Sequence, residues 1–318
     1  MKEATYPTSK VVIVGAGLVG STFAYSLMIS GLAPEIVLID VDREKCVAEA
    51  MDLNHGLPFV RPTIVRAGDY PDCRDAEIIV LTAGAAQKPG ETRLELVKKN
   101  AAIMEDIVAR IVSYTQRAML LVVSNPVDVL TYVALKRSGF PPNLVMGSGT
   151  LLDSARFRYL LSHHCGIDSR NVHAYVIGEH GDSEVPAWSR VNIAGTPMET
   201  YCTLCGRGCG QQVRDRLFEQ VKDSAYHIIE RKGATYYAIS LALVRIVESV
   251  LRNEHSVLTV SSLLNDYYGV DDVCLSVPTV VDRSGIVKVI QPPLSDLEIE
   301  RFQQSAAVLK QAINELED

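Results

Sequence analysis

Three features of this sequence predict an α/β fold, with a doubly wound parallel sheet in the first half and an α+β unit in the second. Over the first 149 residues, short runs that are apolar throughout alternate with helix-like stretches. A glycine-rich turn, Gly15, Gly17 and Gly20, follows the first such run. From about residue 150 the alternation gives way to long helical segments and then paired strands. Strands apolar on both faces and separated by helices belong to a parallel sheet covered on both sides.

In chain order, strands are expected at Val11–Val14, Glu35–Asp40, Thr63–Arg66, Glu77–Thr82, Met119–Val123 and Leu144–Met146. Helices fall between most of them, at Leu18–Ser30, Arg43–Asn54, Glu91–Tyr114 and Pro126–Ser138. A helix at Thr150–Ser162 and a buried strand, VHAYVI at Val172–Ile177, open the second unit. Helices near Gln211–Lys232 and Tyr236–Leu251 come next, then strands His255–Leu263 and Val273–Val281. A charged helix, Leu294–Leu316, closes the chain. The expected division is residues 1–149, binding a dinucleotide, and 150–318, carrying the substrate chemistry.

Composition removes several classes of function. With 318 residues and 47% hydrophobic content there is ample material for a large core. The formal charge is −7 and no basic run is longer than Lys98-Lys99, so nucleic-acid binding, which needs a cationic face, is not expected. No run approaches ~18 uninterrupted apolar residues, and the polar N-terminus has no signal-peptide character; neither a membrane span nor secretion is expected. Seven cysteines, an odd number scattered over a long chain, fit reduced thiols in the cytoplasm.

The turn in KVVIVGAGLVGS matches G-x-G-x-x-G after a strand and before a helix, the Rossmann arrangement. Gly15 permits the tight turn, Gly17 the approach of a pyrophosphate, and Gly20 close packing of helix on strand. The helix N-terminus then offers N–H donors to phosphate. IVLID ends in Asp40, twenty residues beyond Gly20, where an acid binds ribose hydroxyls and repels a 2′-phosphate; this favours NAD over NADP. Gly84, in TAG, ends a later strand at the same edge.

GEHGDS, at Gly178–Ser183, sets a histidine between glycines at a strand end. In GTLLDSARFRYLLS, Asp153 and Arg156 are three apart and share a helix face. Alone they read as a surface ion pair. Beside His180 they read as a proton carrier, an aspartate fixing its tautomer, and a guanidinium that grips a carboxylate. The stretch AGAAQKPGETRLELVKKN offers a turn suited to a mobile lid and Arg93 at a helix start, either a donor to a substrate oxygen or a solvated surface arginine. Asn125 in VVSNPVDVL is either a substrate-orienting amide or a helix cap.

Together with MDLNHGLPF, VIGEHGDSEVPAWS and KGATYYAIS, these motifs run nearly end to end, and the chain resembles the L-lactate/malate dehydrogenase family. The resemblance implies NAD as cofactor and an oxidoreductase acting on a 2-hydroxy acid. It implies His180 as proton acceptor or donor, Asp153 as its partner, Arg156 as carboxylate clamp, Arg93 as the lid arginine and Asn125 as an oxygen and cofactor contact. Asp128 and Thr235 are implied at the substrate, and Val19, Lys45, Tyr70, Gly84, Ala85, Val123 and Ser148 at NAD. Malate enzymes of the family carry a lid arginine for the second carboxylate of oxaloacetate. Gln87 stands there in this chain, so pyruvate and L-lactate are the expected substrates.

Arg158 points nearly opposite to Arg156, and His173 lies seven residues before His180. Read bare, they are a solvated arginine and a packed strand histidine. The resemblance implies instead that they bind fructose 1,6-bisphosphate as an allosteric activator between subunits of a homotetramer, and that Tyr226 matches a phosphorylated position. Cys202, Cys205 and Cys209 depart from the family pattern; they read as surface-loop thiols rather than zinc ligands, so no metal is expected. Three alternatives are a malate or other 2-hydroxyacid dehydrogenase, a silent NAD-binding protein of the same fold, and a bisphosphate sensor with negligible turnover.

Overall fold

The computed structural model describes residues 9–86 and 92–317, without the side chains of Arg93, Cys205 and Glu317. Six parallel strands, β1 (Lys10–Val14), β2 (Glu35–Ile39), β3 (Ile64–Ala67), β4 (Ile78–Leu81), β5 (Met119–Val122) and β6 (Val145–Gly147), form the first part of the sheet. Their helices are α1 (Leu18–Ser30), α2 (Arg43–His55), α3 (Arg93–Val112) and α4 (Val127–Ser138). β1 and β4 are buried at every position, as the apolar runs Val11–Val14 and Ile78–Leu81 require.

Helix boundaries follow local chemistry. α1 ends on Gly31 in the left-handed region (φ 64°), a conformation that favours glycine. Thr92 caps α3 in a reciprocal box with Glu95, Thr92 Oγ1 accepting from Glu95 N–H at 3.2 Å and Glu95 Oε2 accepting from Thr92 N–H at 2.8 Å.

The second half contains α5 (Leu151–Cys165), β7 (Val172–His173), β8 (Val176–Ile177), β9 (Val185–Pro186), β10 (Asn192–Ile193) and β11 (Thr196–Pro197). It continues with α6 (Met198–Cys205), α7 (Gln211–Lys232), α8 (Tyr237–Leu251), β12 (Ser256–Leu264), β13 (Val273–Asp282), β14 (Gly285–Val289) and α9 (Asp296–Glu317). β12–β14 are antiparallel and extend the first sheet, with Ser261 of β12 opposite Gly147 of β6. The order is β14-β13-β12-β6-β5-β4-β1-β2-β3, nine strands. Because β2 and β3 lie on one side of β1 and β4–β6 on the other, the chain reverses direction between β1 and β4. The crevice at the carboxyl ends of those strands is where such sheets bind ligands.

Two expectations need correction. VHAYVI is not one strand: β7 pairs with β10 and β8 with β9 in separate small sheets, and Tyr175 between them uses its carbonyl to accept from Ala187 N–H. The cysteine-rich segment is not simply a surface loop. Cys202 lies on α6, and Cys209 is 6% exposed in a core with Cys165, Phe157 and Met198. Among the described residues no helix is long and apolar enough to cross a membrane, and no three His, Cys, Asp or Glu side chains group as a metal site.

Candidate active site

The dinucleotide crevice is built first by glycine geometry. Gly15 has φ +111°, and a Cβ there sits 2.5 Å from Ala83 N; one on Gly20 sits 1.9 Å from Gly15 O. A Cβ on Gly17 meets no protein atom within 4 Å. The turn is therefore closed on its protein side and open toward a cavity of about 820 Å³ lined by Gly15, Gly17, Asp40, Tyr70, Gly84 and Ala85, among others. Asp40 Oδ2 accepts from Ala16 N–H at 2.6 Å, locking the acid to the turn. Thr82 Oγ–H donates to Gly15 O at 2.8 Å and ties the ends of β1 and β4. A backbone cradle with space over the glycine, an acid at the end of β2 and a long partly apolar cleft fit NAD.

Not every cofactor residue implied by the resemblance lines this cleft. Val19 packs against the core below α1, Lys45 donates its backbone N–H to the α2 cap Asp42, and Ser148 is buried, its N–H on Val122 O. Val123 lies partly buried just past β5.

A second cavity, about 510 Å³, is lined by Asn125, Asp153, Arg156, His180 and Glu184, with α3 and α7 residues closing its sides. Asp153, 2% exposed, divides its carboxylate: Oδ1 accepts from Arg156 Nη1 at 2.8 Å, and Oδ2 lies 2.6 Å from His180 Nδ1. The ion pair suggested by the i,i+3 spacing is real, but it is buried and shared with the histidine. Burial draws the imidazole pKa down, yet the Asp153 charge and hydrogen bond outweigh it and hold His180 at about 9. Burial works against Asp153 as a carboxylate, but the His180 and Arg156 cations hold its pKa below the ordinary value.

The glycine collar of GEHGDS has a steric cause. Gly178 sits at φ +91°, and a Cβ there meets Ser305 Oγ of α9 at 2.8 Å. Its backbone exchanges hydrogen bonds with Ser276 of β13, while Glu179 N–H donates to Ser305 Oγ. On the far side, α7 clamps the loop: Lys222 Nζ donates to Asp182 O, and the Tyr226 hydroxyl to Asp182 Oδ1 at 3.0 Å. Asp128 is 2% exposed behind the histidine, accepting from His180 N–H at 2.7 Å rather than lining the cavity, and burial lifts its pKa to about 6.

Asn125 does not cap α4, whose N-cap is Pro126 with no side-chain bond; it lines the cavity, and its carbonyl accepts from Asn100. Thr235 lies partly buried in the connection between α7 and α8, outside the cavity wall. Gln87 and the side chain of Arg93 lie outside the described residues.

Sequence reasoning missed Asn100 and Glu184. Asn100, 3% exposed, bridges the two cavities by donating to Asn125 O and accepting from Ala85 N–H. A weak helix former in mid-helix was its available signal. Glu184, 6% exposed, reads from sequence as an ordinary loop acid.

Arg158 bonds Ser169 O through Nη2, while its buried Nε has no partner among the described residues. It lines a third cavity, about 560 Å³, with Arg245 and with Ala174, the neighbour of exposed His173.

A parallel sheet with a glycine-turn cleft at its strand ends, tied through Asn100 to a histidine–aspartate–arginine cluster, defines a pyridine-nucleotide oxidoreductase. Residues 9–147 match the model for the lactate/malate dehydrogenase NAD-binding domain, and residues 150–318 that for the α/β C-terminal domain. The chain belongs to the lactate/malate dehydrogenase family, and NAD is its cofactor. It is 57% identical over 309 residues to an L-lactate dehydrogenase of Acetivibrio thermocellus, covering 97% of each chain. It is 56% identical to one of Thermoanaerobacter sp., covering 97% of this chain and 99% of that protein. A crystal structure of a lactate dehydrogenase from a Medee basin deep-sea metagenome library superposes with TM-score 0.95 at 44% identity, covering 98% of this chain and 99% of that one.

Proposed function

We propose that this chain is an L-lactate dehydrogenase, interconverting L-lactate and pyruvate with NAD, and that His180 carries the proton. The observation that carries this reading is the single Asp153 carboxylate bonded to both His180 and Arg156 in one cavity wall. We take the division of labour to fall at residues 149/150.

Arg156 binds the substrate carboxylate; a guanidinium has five donors, so the bond to Asp153 leaves a fork for a bidentate grip. With Nδ1 committed to Asp153, His180 accepts the lactate hydroxyl proton on Nε2, and the aspartate stabilises the resulting imidazolium. In reverse, the imidazolium donates that proton to the ketone oxygen of pyruvate. Arg93 and Asn125 orient that oxygen, and Arg93 arrives with lid closure, which excludes water. Gly15, Gly17, Asp40, Tyr70, Gly84 and Ala85 hold NAD, which when bound supplies the hydride chemistry at C2. Gln87 leaves a second substrate carboxylate unpaired in a dry site, a cost of several kcal/mol and at least about a hundredfold in rate, so oxaloacetate is disfavoured.

Arg158 and His173 belong to an activator site for fructose 1,6-bisphosphate between subunits of a homotetramer. In support, a buried Nε of Arg158 lacks a partner among the described residues, and Tyr237 (64% exposed), Leu241 (66%) and Val257 (43%) present apolar surface near that cavity. The test is NADH oxidation with pyruvate and with oxaloacetate, each with and without the bisphosphate. The reading expects turnover of pyruvate, stimulated by the bisphosphate, and little of oxaloacetate; preference for oxaloacetate overturns it.

A further inference from the structure

Glu184 is used by none of these steps, yet it is a buried acid in the wall of the same cavity. It stands just before β9, 6% exposed, and lines the cavity that holds His180 and Arg156. Its Oε1 is buried without a hydrogen-bond partner among the described residues. A carboxyl buried this way costs stability and has no capping or anchoring bond to explain it. The charged groups that face it are Asp153 and Arg156 from α5, His180 from its own loop and Lys222 from α7. Two of these are the members of the proton-carrying pair.

We propose that Glu184 is a positioning residue that tunes how readily His180 releases its proton, acting through the shared cavity. This rests on the reading of His180 as the proton carrier. Burial, with the Asp153 charge beside it, pushes the Glu184 pKa up to about 8, against about 9 for His180. Near neutral pH the acid keeps its proton and adds no charge. As pH rises through the alkaline range the acid ionises, and the new anion in the same cavity wall opposes loss of the imidazolium proton. The site therefore retains a donor for pyruvate at pH values where Asp153 alone begins to fail.

The experiment pairs two readouts in native protein, Glu184→Gln and Glu184→Asp. One is kcat/KM for pyruvate from pH 6 to 10; the other is the His180 imidazole titration, followed by NMR on histidine-labelled protein. The ratio of native to Glu184→Gln kcat/KM is expected to rise about tenfold between neutral pH and pH 9.5, with the His180 midpoint falling by about one pH unit. Glu184→Asp, which keeps an ionisable group, is expected to restore part of both. A loss that is uniform with pH and leaves the His180 midpoint in place assigns Glu184 a purely structural role and overturns the inference alone. If the alkaline limb of native enzyme fails to track the His180 midpoint, the proton-carrier reading falls, and this inference with it.

Discussion

Replacing Asp153 by Asn removes the charge on which the proposed proton transfer depends while keeping the size of the side chain. His180 stands at about 9 against an ordinary 6.5, and at ~1.4 kcal/mol per pH unit that difference is about 3 kcal/mol. With the carboxylate gone, the desolvation of the buried imidazole remains and pulls it back toward the ordinary 6.5 against the smaller pull of Asp128 and Glu184. At about pH 7.5 the imidazolium fraction drops from above nine-tenths to below one-tenth. The amide also competes to present the wrong hydrogen-bonding group to Nδ1. Together these predict a fall in kcat/KM for pyruvate of ~10²–10³-fold and movement of the alkaline limb from about 9 to below 7. Steady-state NADH oxidation across the pH range reads both, and NADH fluorescence titration checks that the cofactor still binds. Activity within tenfold of native, with the alkaline limb unmoved, refutes the reasoning.

Gln87→Arg is expected to raise kcat/KM for oxaloacetate at least about a hundredfold relative to pyruvate, read from the two substrates in parallel. Arg158→Gln is expected to abolish stimulation by fructose 1,6-bisphosphate, read from the activation curve at low pyruvate; an unchanged curve removes that site. Glu184→Gln is expected to stabilise the fold in alkali. The folded pKa of about 8 lies above the ordinary 4.5, so this carboxyl's contribution is whole below about 4.5 and is lost as pH rises through 8. The variant should gain ~2–4 kcal/mol, or several degrees in Tm, near pH 8.5, and the gain should vanish near pH 4.5. A Tm difference independent of pH contradicts this.

The dinucleotide half was legible because its signals are local. The parallel strands are mostly apolar, with charged residues only at Lys10, Glu35 and Arg66, and Gly15 and Gly20 are forced by backbone contacts within the turn. The cluster around His180 was legible in composition but not in geometry. The i,i+3 spacing placed Arg156 beside Asp153, yet nothing local says that one carboxylate serves two cations or that Asp128 stands behind the loop. β14 and the break between β7 and β8 were not foreseen, since both depend on partners distant in sequence: β13 for the first, β9 and β10 for the second. Glu184 was invisible for the same reason. The cavity it lines is built with residues of α5 and α7, distant from it in sequence.

The account stands on one imidazole, and the most direct measurement is turnover by His180→Asn under saturating NADH and pyruvate, with NADH binding measured on the same sample. NADH affinity close to native with kcat reduced at least ~10³-fold is the predicted result, the scale expected when a general acid acting in the transition state is removed. A variant that binds NADH and still reduces pyruvate within tenfold of the native rate contradicts it, and the proton then travels by another group.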